Sequence, residues 1–170
     1  MNIFDKLKRP FPLKAVHWRI GAINRDKTSA IALAYIDARD AMQRLDEVVG
    51  PANWQCRYPL ADNGLLICEI GLNVDAATGL SMPSAAGNWI WKANGAGDTQ
   101  VEAEKGKASD AFKRAAVLWG IGRYLYALPN VWVPIEGKRL PDSSIDLLVK
   151  RLPWWADPDK YDKAKENKSE

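Results

Sequence analysis

A chain of 170 residues has one domain's worth of length. With 47% apolar and 26% charged residues its composition excludes a wholly disordered chain or a fibrous repeat. Its formal net charge of +3 is modest overall, and no apolar run reaches the roughly 20 residues that span a bilayer.

The charge is concentrated at the front. Residues 1–27 hold seven bases (Lys6, Lys8, Arg9, Lys14, Arg19, Arg25, Lys27) against two acids (Asp5, Asp26), a net of +5, whereas residues 28–155 and 156–170 each come to −1. Such a segment suits a polyanion, or is simply a solvated arm. The first ten residues, Met1 to Pro10, place charges inside their apolar stretch and lack a small-residue cleavage site, so they do not read as a secretory signal and a cytoplasmic protein is expected. Cys56, Cys68 and His17 are all the thiol and imidazole chemistry available. That is too little for a four-ligand zinc site or a histidine-based hydrolytic triad. The cysteines read as free packed thiols, and His17 as a surface or packing residue.

From Thr28 to Val49, apolar residues at Ile31, Ala34, Tyr35, Ala38, Met42, Leu45 and Val49 predict an amphipathic helix closed by Gly50-Pro51. Trp54–Tyr58 and Leu66–Val74 alternate with period two around Asp62-Asn63-Gly64, a hairpin pattern. Asn88–Lys92, after the turn-rich Asp75–Gly79, extends it to a three-stranded antiparallel meander. Thr99 and Glu102 then form a capping box for a long helix. Its stripe of Ala108, Ala111, Phe112, Ala115, Trp119, Gly122 and Tyr126 runs on to Pro129. The expected fold is α+β, a meander with the long helix across one face. The expected organisation is a basic N-terminal arm over 1–27, a core domain over 28–155 and a disordered charged tail over 156–170.

Phe112 and Trp119 mark the buried side of the long helix. Lys113 and Arg114 lie about 100° and 200° around from Phe112, and Lys107 falls on nearly the same line as Arg114. Tryptophan occurs eight times. Trp18-Arg19 and Trp91-Lys92 have the aromatic and cationic adjacency with which single-stranded nucleic acid is held, whereas Trp54, Trp89, Trp91 and Trp119 read chiefly as core or interface packing. Gly95-Ala96-Gly97 and Gly120-Ile121-Gly122 are followed by the wrong residues for a dinucleotide fingerprint, and Gly106-Lys107 lacks the glycine and hydroxyl of a phosphate loop. Glu136-Gly137-Lys138 has the acid-x-lysine spacing of some metal nucleases, with no second carboxylate evident beside it. A metal-dependent nuclease is therefore the rival reading from a different class.

Two stretches together resemble the Rad52 family of single-strand annealing proteins, particularly its bacteriophage branch. Tyr35-Ile-Asp-Ala-Arg39 to Gly50-Pro-Ala-Asn-Trp54 is similar to the family's helix and the break before its sheet. Glu104 to Gly120, EKGKASDAFKRAAVLWG, is similar to its helix with an aspartate, an apolar residue before Lys-Arg, and an aromatic-glycine pair. The likeness spans about residues 15 to 128.

The resemblance implies a homo-oligomeric ring whose groove holds one DNA strand with its bases exposed for pairing, without ATP, metal or other cofactor. It also implies a role in recombination and repair inside a bacterial host cell. Lys113 and Arg114 match the family's groove-lining pair, Arg19 resembles a further phosphate contact, and Tyr35 matches an aromatic of the first helix. Lys107, Arg25 and Lys27 complete the expected DNA-binding set from the cationic helix line and the basic segment. Val117 stands where eukaryotic members carry another arginine. Arg123 and Lys105, expected to share one helix line, could add charge or form subunit salt bridges. The length after residue 128 leaves no room for the eukaryotic C-terminal half, so annealing rather than recombinase loading is expected, with the tail as a possible contact to a host or phage recombination partner. A protein that protects strands without annealing them is the nearer alternative.

Overall fold

The computed structural model describes residues 2–61, 65–75, 88–96 and 104–167. In chain order the elements are α1 (Ile3–Lys8), β1 (His17–Ile23), β2 (Ser29–Tyr35), α2 (Ala38–Val49), β3 (Trp54–Arg57), β4 (Leu66–Asn73), β5 (Trp89–Ala96), α3 (Glu104–Leu118), β6 (Trp132–Pro134), α4 (Asp142–Lys150) and α5 (Pro158–Glu166), with short 3-10 turns at Leu13–Ala15 and Arg123–Ala127. This is a mixed α+β fold with two small antiparallel sheets. The chain divides into two compact units, Met1–Arg9 with Asp37–Arg123, and Pro10–Ile36 with Tyr124–Glu170.

In the first unit the sheet order is β3-β4-β5. Trp54 pairs with Leu72, Cys56 with Ile70, and Ile70 with Lys92, so these side chains share one face by the two-residue period of a strand. Helix α3 packs on β4 and β5. Its small Ala111 and Ala115 let the backbone approach, and Phe112 is fully buried, as are Cys68, Ile70 and Leu72 of β4. Trp54 meets Phe112 edge to face, with ring centroids 6.0 Å apart. Buried Trp119 satisfies its indole N–H on the Ile70 carbonyl at 3.1 Å. Helices α1 and α2 pack together, and the buried Arg44 donates to the carbonyls of Lys6, Leu7 and Arg9 at 3.3, 3.4 and 2.6 Å, closing the end of α1.

The second unit holds the sheet β1-β2-β6. Trp18 pairs with Ala34, Ile20 with Ala32, and Ala30 with Val133. Ala32, Val133, Leu140 and Leu148 form its buried cluster, with Trp18, Ile20, Val131, Ile135 and Ile145 packed around them. Helix α4 packs on β6, and the buried Ser144 hydroxyl donates to the Pro134 carbonyl at 2.8 Å.

Three expectations change. Residues 28–49 are not one helix, because 29–35 form β2, paired on both sides, and α2 begins only at Ala38. Asp37 is the reason for that start: its side chain accepts from the N3 amide, and the Asp40 carboxylate accepts from the Asp37 amide at 3.0 Å in a reciprocal capping box. The long helix ends at Leu118 rather than running to Pro129. Gly120 takes φ +94°, Gly120 N–H donates to the Val117 carbonyl and Ile121 N–H to the Ala116 carbonyl, the two bonds of a Schellman stop. Arg123 therefore lies beyond α3 and shares no helix line with Lys105. The stretch expected as a basic arm contains α1 and β1, and the stretch expected as a charged tail contains α5. The turn at Asp62-Asn63-Gly64 and the Thr99/Glu102 cap lie outside the described residues.

Candidate nucleic-acid interface

The expected DNA-binding residues fall on both units. Lys107, Lys113 and Arg114 stand on α3. Arg114 is exposed, and Lys107 and Lys113 are half-buried. Arg114 Nε donates to the Asp110 carboxylate one turn back at 2.8 Å, with both side chains substantially solvated. An exposed i,i+4 pair contributes only about 0.3–0.5 kcal/mol, so it holds the guanidinium in place without competing strongly against a phosphate. Asn94 of β5 reaches the Arg114 carbonyl at 3.4 Å, which fixes this turn of α3 to the sheet edge.

Arg19, Arg25, Lys27 and Tyr35 belong to the β1–β2 hairpin. Arg19 is exposed and paired with Leu33 on the sheet face opposite Trp18 and Ile20. Arg25 and Lys27 are exposed on the turn, which is built by Asn24: its side-chain carbonyl accepts from the Thr28 and Ser29 amides, each at 2.9 Å, and Lys27 takes φ +57°. Tyr35 pairs with His17 across the strands, with their rings 5.4 Å apart and tilted.

A second group of cations gathers where α3 stops, and the sequence pattern gave only partial notice of it. Lys92 Nζ and Arg123 Nη2 donate to the same oxygen, the Leu118 carbonyl, at 3.0 and 2.8 Å. The two positive groups are thus within two hydrogen-bond lengths of each other. Arg123 also reaches the Val117 carbonyl through Nε at 2.9 Å and Nη2 at 2.7 Å, and Lys92 sits 4.4 Å from the Trp119 ring centroid. Lys8 closes the group, because its stem lies against Gly120, where an added Cβ would come within 2.6 Å of the Lys8 Cγ. Burial first, and then the positive charges of Arg123 and Lys8, lower the Lys92 pKa below that of an ordinary lysine. Trp91-Lys92 was visible as an adjacency, but Trp91 turns to the other face, where Arg57 lies 4.2 Å over its ring and pairs with Glu69.

The remaining candidates for chemistry are Glu136 and the two cysteines. Glu136 lies on an exposed turn and its carboxylate accepts from Arg139 at 3.4 Å. Cys56 and Cys68 are both free. Burial pushes the Cys68 thiol up to about 11, and the Tyr58 hydroxyl, near both sulfurs, is raised as well; a thiol raised so far, as Cys68 is, stays protonated and unreactive near neutrality.

Compared with known proteins, the chain matches the Rad52/22 family of double-strand break repair proteins over residues 1–140. The chain belongs to that family. The single-stranded DNA-binding protein DdrA of Deinococcus deserti is 37% identical over 165 residues, covering 93% of this chain and 71% of that protein. DdrA of Deinococcus radiodurans is 34% identical over 159 residues, covering 93% of this chain and 69% of its own length. The match takes in α3, the β1–β2 hairpin and every cation described above. No described helix is long and apolar enough to cross a membrane.

Proposed function

We propose that this protein binds single-stranded DNA and anneals complementary strands in DNA recombination and repair, as an oligomeric ring and without nucleotide or metal. The observation that carries the reading is the Lys113-Arg114 pair on α3, with Arg114 exposed and held off the packed stripe of Ala111, Phe112 and Ala115, in a chain whose relatives are single-stranded DNA-binding proteins. Cations set against a rigid helix neutralise phosphates and release counterions, while base pairing selects the sequence. One small domain touches few nucleotides, so a ring of copies supplies the length that annealing needs. Arg19, Arg25 and Lys27 add positive charge from the hairpin.

The test is the double variant Lys113→Ala/Arg114→Ala, with binding to a labelled oligothymidylate followed against salt. Each single-strand phosphate contact adds about 0.7 to the slope of log affinity against log salt, so the variant loses about 1.4 per subunit at unchanged circular dichroism. An unchanged slope places the strand elsewhere. In parallel, pairing of complementary oligonucleotides in EDTA without nucleotide is expected to exceed the spontaneous rate. Binding without that acceleration makes the protein a strand protector rather than an annealing protein.

A further inference from the structure

We propose that Lys8, Lys92 and Arg123, gathered at the carboxyl end of α3, form a second phosphate site that continues the strand path beyond Arg114. This rests on the single-stranded DNA reading above. Three features of the geometry carry it. Lys92 and Arg123 share one acceptor oxygen at 3.0 and 2.8 Å, so two positive groups are held together although a single neutral carbonyl cannot balance both. Helix α3 presents about half a negative charge at this end, which, among the described residues, leaves most of the charge of three cations uncompensated. Lys8 and Arg123 are exposed and Lys92 is half-buried, so an incoming anion meets two solvent-facing donors before the half-buried one.

The placement gives the site its direction. On the helix-facing side of β5, Lys92 and Asn94 are two residues apart, and they reach the carbonyls of Leu118 and Arg114, one turn apart on α3. Strand and helix thus run side by side, and β5 is an edge of its sheet. Cations occur at both ends of this short line, Arg114 at one and Lys92 with Arg123 at the other, which suits successive phosphates of one backbone rather than a single ion. Asn94, through its bond to the Arg114 carbonyl, fixes the Arg114 end of the line to β5. A phosphodiester entering here relieves the mutual repulsion of Lys92, Arg123 and Lys8, which adds to burial in lowering the Lys92 pKa. The chemistry required is a phosphate oxygen. The backbone of a nucleic acid is the favoured source, with free phosphate as the competing one.

The experiment uses the full chain with Lys8→Gln/Lys92→Gln/Arg123→Gln together, and Lys8→Glu alone. The single variant keeps both caps on the α3 carbonyls and so preserves the fold even if the triple variant loosens the helix end. Binding to a labelled oligothymidylate is measured across salt, beside Lys113→Ala/Arg114→Ala. Removing three phosphate contacts lowers the salt slope by about 2, and Lys8→Glu alone lowers it by about 0.7 or more, equally on oligothymidylate and oligodeoxycytidylate. Unchanged affinity and slope in both variants, with a wild-type protein that binds, overturns the site and leaves the functional reading intact. A wild-type protein that binds no strand overturns the functional reading itself. In a second arm, inorganic phosphate is titrated against thermal stability. Stabilisation of wild type that the triple variant loses, with strand binding unaltered, assigns the cluster to free phosphate and overturns the proposal.

Discussion

The two sheets have the same strand count and hand their cations to solvent in opposite ways. In β3-β4-β5 the covering helix supplies acceptors, so Arg114 is tied to Asp110, and Lys92 and Arg123 to the last carbonyls of α3. In β1-β2-β6 the cations Arg19, Arg25 and Lys27 stand on an exposed hairpin face and turn. Ordering a lysine or arginine side chain costs up to about 2 kcal/mol. The tethered cations have already lost much of that freedom, and so suit defined phosphate contacts, whereas the hairpin cations suit attraction at longer range. The cores differ in parallel. One is centred on Phe112, Trp119, Leu45 and Ile70, whereas the buried cluster on the other sheet is Ala32, Val133, Leu140 and Leu148.

That contrast is tested most severely by cutting one large side chain from each core. Phe112 is fully buried and meets Trp54, so Phe112→Ala is expected to cost about 3–5 kcal/mol. Val133 is also fully buried but has fewer atoms to lose, and Val133→Ala is expected to cost about 2 kcal/mol. Urea unfolding followed by tryptophan fluorescence and by circular dichroism measures both. Equal losses would erase the distinction between a core built around the Phe112 ring and one built around small aliphatic side chains at the sheet.

A sharper comparison uses two of the left-handed backbone positions, one from each unit. Gly120, at φ +94°, ends α3, and Gly120→Ala is expected to cost about 1–2 kcal/mol for the strained Cβ, besides displacing the Lys8 stem. Lys27, at φ +57° in the hairpin turn, already bears that strain. Lys27→Gly relieves it while adding freedom to the unfolded chain, so the net change is expected within about 0.5 kcal/mol. Thermal melts of the two variants separate these outcomes. A destabilisation of Lys27→Gly equal to that of Gly120→Ala would show that the turn depends on the Lys27 side chain rather than on Asn24.

How legible each unit is in the sequence follows from the same side chains. Alternation of large residues at Trp54, Cys56, Ile70 and Leu72 identifies the strands of the first sheet, and Phe112 with Trp119 identifies the buried side of α3. In β2 the core positions are Ala30, Ala32 and Ala34. Alanine fits helix and strand alike, so Ile31, Ala34 and Tyr35 imitate helical spacing, and only pairing with β1 and β6 decides the matter. Asp37 and Asp40, the capping pair that starts α2, and Gly120, the residue that stops α3, were both readable local signals outweighed by longer periodicity. The Lys113-Arg114 pair was legible because it is one helix step from Phe112. The grouping of Lys8, Lys92 and Arg123 was not, because three separate segments bring it together and two of its members are fixed by backbone carbonyls, which have no sequence signature.

The smallest expected effect contrasts the cation-capped end of α3 with the carboxylate-capped start of α5. Asp157 accepts from the Asp159 and Lys160 amides at 3.1 and 3.3 Å, and Lys160 Nζ lies 3.0 Å from its other oxygen. Burial pushes this carboxyl upward, but the hydrogen bonds and charge of Lys160 outweigh burial and hold it below the usual carboxylate range. A carboxyl lowered in the fold means that the unfolded state binds more protons, so its stabilisation is complete above the unfolded value of about 3.9 and is lost as pH falls through the lower folded value. Asp157→Ala is therefore expected to cost about 1 kcal/mol of local helix stability at neutral pH and progressively less in acid. Asp157→Asn keeps an acceptor for the amides and should lose only the Lys160 attraction, a few tenths of a kcal/mol for so exposed a partner. Hydrogen exchange of the α5 amides, Tyr161 foremost since it donates to the Asp157 carbonyl at 2.9 Å, measures each variant against wild type from neutral pH downward. A gap between Asp157→Ala and wild type that stays constant through the acid range would mean that the carboxylate charge contributes nothing and that the cap acts through its hydrogen bonds to the Asp159 and Lys160 amides alone.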